Sequence, residues 1–220
     1  MRNFYKTRFI KKSFVDRKIL EKYNLKKILV VKKSGEYMTK SIFLEKPVLS
    51  VRKQFLAVFL ACAVAVVLPQ LCHLIGKLTG TGMMIGTVLS PMHFPIIFVG
   101  LVAGPIVGAI SGILAPLVSF ALTGMPLAKM LPLMVVELFG YGLAAGFLRN
   151  IHLNNFVKVF ITMIFGRVLR FLACLFMFYA LSKTEIGIFE IWQSIPKCLP
   201  GIILQLILIP LLLNKFDSDK

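Results

Sequence analysis

An all-α integral membrane protein is the fold class this sequence predicts: a six-transmembrane-helix bundle with both termini cytoplasmic. Three observations carry that reading. Of 220 residues, 58% are hydrophobic and only 16% charged, where ordinary globular domains carry about 25% charge. Apolar runs long enough to cross a hydrocarbon core, which takes roughly 20 residues, recur six times along the chain. The basic residues that flank these runs fall on one side of an even-numbered bundle, the pattern of cytoplasmic loops.

Residues 1–50 form a basic cytoplasmic arm. The formal net charge of +17 is concentrated there, since residues 1–53 hold 16 Lys and Arg against 4 Asp and Glu. A polybasic lead-in to a first membrane helix binds the anionic inner leaflet. Recognition of nucleic acid would need aromatic stacking platforms or a reading motif, and neither is visible. Membrane lipid is therefore the expected partner of the arm, and nucleic acid is not. Met38 opens "MTKSIFLEKPVLSVRKQF", a compact lead-in that would serve by itself as an amino terminus, so residues 1–37 read as an upstream extension. Within them "KILVVKK" has the composition of a short amphipathic interfacial helix, with a weakly ordered arm as the alternative.

Residues 51–215 form the membrane domain and 216–220 a cytoplasmic tail. The predicted spans are 54–75, 85–103, 105–123, 127–148, 156–181 and 191–213. They are separated by "GKLTGTG", Gly104-Pro105, "TGMP", "RNIHLNN" and "SKTEIG", all turn-forming compositions. Arg149 with Lys158 and then Lys215 follow the fourth and sixth spans, which puts both termini inside. A cleaved signal peptide is not expected, because the first apolar segment starts only at residue 54.

Several chemistries lack their residues. Cys62, Cys72, Cys174 and Cys198 form no CxxC pair and read as small apolar fillers. His73, His93 and Cys72 are too scattered, with no acidic partner, to predict a metal. The Gly76-Lys77 pair is followed by Leu78 and lacks the glycine spacing that cradles phosphates, so the chain has no ATPase of its own. No GxSxG, HExxH or paired intramembrane aspartate is present. No cofactor is expected.

Two small-residue patterns speak to packing. Gly100, Gly104, Gly108 and Gly112 lie four apart in a stretch, Ser90 to Pro126, that has no formal charge. Such spacing gives a helix a smooth face on which backbones approach closely in lipid, and Gly142/Gly146 repeat the motif on the fourth span. On the first span Ala57, Ala61 and Ala65 make a similar face, which suits either a partner helix or packing within the chain.

Charge inside the membrane points to a site, because an ionisable group there costs at least a few kcal/mol. Glu137 lies halfway along the fourth span and Arg167 at similar depth on the fifth, so the two can pair. Arg170, one turn further out, is left without a visible acid, and Lys197 on the sixth span adds another positive charge. Such a cavity invites an anion; snorkelling of both arginines, or a purely structural pair, is the alternative. Pro196, Pro200 and Gly201 in "SIPKCLPGIILQ" predict a kinked or unwound turn that exposes backbone groups to a ligand cavity. Tyr141, Gln205, Trp192 and His93, entering the second span from outside, complete the candidate substrate-binding set, with Trp192 equally suited to interfacial anchoring.

From about Gln54 to Asn214 the sequence resembles the substrate-binding S components of energy-coupling factor (ECF) vitamin transporters. The resemblance rests on six helices in so short a length, on the Ala57/Ala61/Ala65 face, and on "PMHFP", "VGLVAGPIVGAISGILAPLVSFALTGMP", "ELFGYGLAAGFL", "FGRV" and "LPGIILQLILIP". It implies a small solute-binding protein that works with a transmembrane coupling protein and two cytoplasmic ATPases. It also implies docking on the coupling protein through Ala57, Ala61 and Ala65, an outward-facing vitamin pocket, and toppling of the subunit in the membrane to release its cargo. Family members bind unlike ligands; surplus arginine favours a carboxylate such as pantothenate or niacin, with folate, riboflavin or pyridoxine types behind. Two other classes remain at this point. One is an intramembrane enzyme acting on a lipid or isoprenoid through Glu137 and His93, which the expected separation in depth of those residues disfavours. The other is a membrane scaffold, which leaves mid-membrane charge unexplained.

Overall fold

The computed structural model describes residues 30–33, 36–39, 49–82, 84–181 and 188–218. The chain divides into two units, Met1–Pro47 and Val48–Lys220.

In the first unit, β1 (Val30–Lys33) pairs antiparallel with β2 (Glu36–Thr39), Val30 opposite Thr39 and Lys33 opposite Glu36. The interfacial helix expected over "KILVVKK" is therefore corrected for Val30–Lys33, which is strand. Val30 and Val31 are β-branched and favour the extended form.

The second unit is built of α1 (Val51–Leu78), α2 (Met84–Leu89), α3 (His93–Ala103), α4 (Pro105–Thr123), α5 (Leu131–Leu148), α6 (Asn155–Leu181) and α7 (Ile188–Ser218). Among the described residues, six segments are long and apolar enough to cross a membrane: Val51–Leu78, Met84–Ala103, Pro105–Thr123, Leu131–Leu148, Asn155–Tyr179 and Cys198–Phe216. These match the expected spans to within a few residues at most ends, because length and lack of charge set them. The second span consists of two helical pieces, α2 and α3, parted at Ser90, whose φ of 45° ends the first.

α5 is the hub, packed against α3, α4 and α6, while α1 covers α3 and α4, and α7 lies on α2, α3 and α6. Glycine permits the tightest of these contacts. A Cβ on Gly108 would collide with the Gly142 carbonyl and one on Gly142 with the Gly108 carbonyl. Gly100 meets Gly142 and Ala145, Gly112 meets Leu138, and Gly146 meets Pro105. The four-residue ladder is thus the seam that lets α3 and α4 sit on the backbone of α5. Between α3 and α4, Gly104 turns the chain at φ 106°, a conformation a side chain would strain, and Pro105 opens α4 at its first position.

The Ala57/Ala61/Ala65 face is a correction. Ala65 is fully buried in the main core, and Ala61 packs with Val99, Ala103 and Val107, with Ala57 against them. Ala61 and Ala65 are thus covered within the chain and are not free to meet a partner, while Ala57 is only partly buried. The sixth span also differs from expectation. α7 continues as helix through Pro196, Pro200 and Pro210 with no unwound turn. The opened backbone lies instead at Ser90 in the neighbouring span.

Candidate functional site

The site is organised by one carboxylate. Glu137 projects from the middle of α5 and is fully buried. One turn along the same helix, the Tyr141 hydroxyl donates to Glu137 Oε1 at 2.8 Å. From α6, an Arg170 Nη donates to Glu137 Oε2 at 2.7 Å, and Arg167 Nε lies 3.4 Å from Oε1. From α3, His93 Nε2 lies 3.6 Å from the same Oε1, and its ring meets that of Tyr141 edge-on with centroids 5.2 Å apart.

Both arginines reach the acid because positions three apart on a helix share a face. This corrects the expectation that Arg167 alone pairs with Glu137 and Arg170 lacks an acid: Arg170 makes the shorter contact. Its long side chain spans the turn that separates it from Glu137 in depth. The charge arithmetic is unchanged, since two guanidiniums face one carboxylate. His93 is corrected too. It lies beside Glu137 and not at the outer surface, because α2 precedes it and places it midway along the Met84–Ala103 span.

Gln205, on α7, serves the break in that span. Its Nε2 donates to the carbonyls of Leu89 and Ser90 at 3.2 and 3.1 Å. His93 Nδ1 lies 2.9 Å from the same Ser90 oxygen. A carbonyl only accepts, so Nδ1 carries a hydrogen. Backbone groups freed at the break thus find partners inside the protein, as a membrane interior requires. Gly201 packs beneath the Val88 and Leu89 carbonyls.

Sequence reasoning missed two participants. Ser90 joins α3, α7 and His93 through its carbonyl, and its signal was Pro91, which ends α-helical bonding before it. Cys198, expected to be filler, donates its thiol to the Thr87 carbonyl at 3.5 Å and accepts from the Ser90 hydroxyl at 3.6 Å. Cys62 and Cys174 are buried apolar residues. Trp192 and Lys197 lie on the first turns of α7, and their side chains are outside the described residues.

The side chains of Arg167 and Arg170 are 24% and 16% exposed, while Glu137, which both of them approach, is wholly buried. A second feature lies between α1 and α4: an apolar groove of about 540 Å³ that includes Phe59, Ala63, Val67, Leu114, Val118 and Leu122.

Compared with known proteins, residues 55–213 match the family described as ECF transporter, substrate-specific component. No curated protein and no solved structure matched the chain. The match takes in all or most of each span, the central charge cluster and the glycine seam, and on it the chain belongs to the ECF transporter substrate-specific component family, a multi-pass membrane protein that serves a transporter as its substrate-binding subunit and is not itself an enzyme.

Proposed function

We propose that the chain binds a small water-soluble vitamin or related micronutrient bearing a carboxylate, of the pantothenate or niacin type, and delivers it into the cell as the solute-binding part of an ATP-driven importer. The observation that carries this reading is the pair of arginines sharing one buried acid. Their surplus positive charge, in a medium of low dielectric, favours an anion strongly. A carboxylate suits the planar donor fork of a guanidinium in particular. The outward-facing orientation, with both termini cytoplasmic, is supported by the basic residues around the first, fourth and sixth spans.

The test is mass spectrometry of small molecules released on denaturing the detergent-purified protein, beside an Arg167→Ala, Arg170→Ala control. A stoichiometric vitamin in the first and none in the second is the expected result. Lipid alone, equally present in both, sinks the anionic pocket.

A substrate-specific component works with a coupling module, here a transmembrane coupling protein and two cytoplasmic ATPases. With the alanine face occupied inside the chain, the α1/α4 groove is the surface we assign to a helix of the coupling protein. Ala63 lies exposed within it, whereas Ala65 is wholly buried two residues on. Ala63→Trp is expected to leave folding and solute retention intact and to reduce copurification of the coupling protein at least about tenfold, a loss of about 1.4 kcal/mol in association. Ala65→Trp overpacks the core and is expected to lower thermal stability instead, by about 1–3 kcal/mol. Equal copurification of wild type and Ala63→Trp removes the groove from the interface.

A further inference from the structure

We propose that anion binding at Arg167 and Arg170 is linked to the uptake of one proton by His93, which then takes over from the arginines as the counter-charge of Glu137. The proposal rests on the anionic reading of the site and goes on to say what the site's acid and imidazole do.

The argument begins with the hydrogen that Nδ1 carries. Because Nδ1 donates to Ser90 O, a neutral His93 presents a bare lone pair at Nε2. That nitrogen is buried, has no hydrogen-bond partner, and faces Glu137 Oε1 at 3.6 Å. Two acceptors therefore confront one another, and the carboxylate is held by Tyr141, Arg167 and Arg170. An incoming carboxylate competes for those same guanidiniums. As they turn to it, Glu137 is left with the Tyr141 hydroxyl and a buried charge, and stranding such a charge is strongly unfavourable.

Among the described residues, His93 is placed to relieve this while Glu137 keeps its charge; a proton on Glu137 itself is the alternative, and it leaves Nε2 bare. Imidazole changes charge in the physiological range, and its orientation is fixed by the Ser90 bond. A proton arriving from the aqueous phase with the anion, and settling on Nε2, turns the facing acceptors into a donor and an acceptor. The bookkeeping closes. Before binding, two guanidiniums and one carboxylate leave one positive charge; afterwards, one further negative charge from the solute and one proton leave the same. Among the described residues, the other groups around His93 do not offer this exchange. α5 brings Glu137 and Tyr141, and α6 brings Arg167 and Arg170. α7 brings Gln205 and Cys198 to the backbone at the break. α1 turns His73 toward Gly86, and α4 has no ionisable residue.

The chain has three histidines, so a His73→Gln, His152→Gln protein labelled with ¹⁵N-histidine reports His93 alone by NMR. At about pH 7.5 the solute-free protein is expected to show Nδ1 protonated and Nε2 bare. Adding Arg167→Gln and Arg170→Gln mimics the loss of the arginines to a solute, and Nε2 is expected to gain its proton in more than about half of the molecules; further Glu137→Gln reverses this. If the double arginine variant does not fold, Arg170→Gln alone gives the same shift in smaller measure. Nε2 protonated at the outset, or bare after arginine removal in a folded variant, overturns the proposal. Millimolar nicotinate and pantothenate are then added to the arginine-bearing protein. A shift in Nε2 with either acid supports both readings. No shift with either, alongside a positive arginine-removal result, fails the carboxylate reading and leaves the His93–Glu137 proton pair standing.

Discussion

Glu137→Ala destabilises the protein by about 3–5 kcal/mol, the cost typical of removing one member of a buried ion pair. Two guanidiniums then lie in the span region with no acid among the described residues to hold them, and the Tyr141 hydroxyl loses its acceptor. Arg170→Gln is the informative contrast. It removes the shorter contact yet leaves Arg167 against the acid, so one cation still balances one anion, and the cost falls well below that of the alanine variant. Thermal unfolding in detergent, followed by loss of the monodisperse peak, ranks the two. If Glu137→Ala melts with the wild type, the carboxylate is not the counter-charge of the cluster.

The second large effect is at the α4–α5 seam. Gly142→Ala and Gly108→Ala each place a methyl group inside the opposing backbone. Neither neighbour is a flexible side-chain tip, so the helices themselves must separate. Each substitution is expected to cost about 1–3 kcal/mol, the range for overpacking, or somewhat more. One separation accommodates both methyl groups, so the double variant should cost less than the two singles combined. Additive losses in the same melting assay would show that the two glycines do not share a contact.

Much of this was legible before any coordinates. The spans follow from length and the absence of charge. The glycine ladder announced close packing, and the depth of Glu137 and Arg167 announced their meeting. What was hidden depends on how elements meet. Spacing alone made Ala57, Ala61 and Ala65 a smooth face without saying whether α3 and α4 or another protein covers it. His93 was read as entering the second span from outside, when it lies midway along it. Arg170 was judged by the depth of its backbone, while its reach to Glu137 belongs to its side chain. The prolines of α7 promised an opened backbone that the second span supplies, because Gln205 is there to receive it.

The break at Ser90 also bears on how the protein is made. Its Leu89 carbonyl is met by Gln205, which follows Ser90 by 115 residues and shares the Ser90 carbonyl with His93. At about 5–20 residues per second, translation takes roughly 6–23 s to reach it. For that interval the Ser90 carbonyl has only His93 of its own span, and the Leu89 carbonyl that Gln205 will meet must be served by water or by the insertion machinery. The helix that carries Gln205 is thus the one that seals the second span, and a chain truncated before Gln205 would present all the glycines of its seam yet lack the means to close its own site.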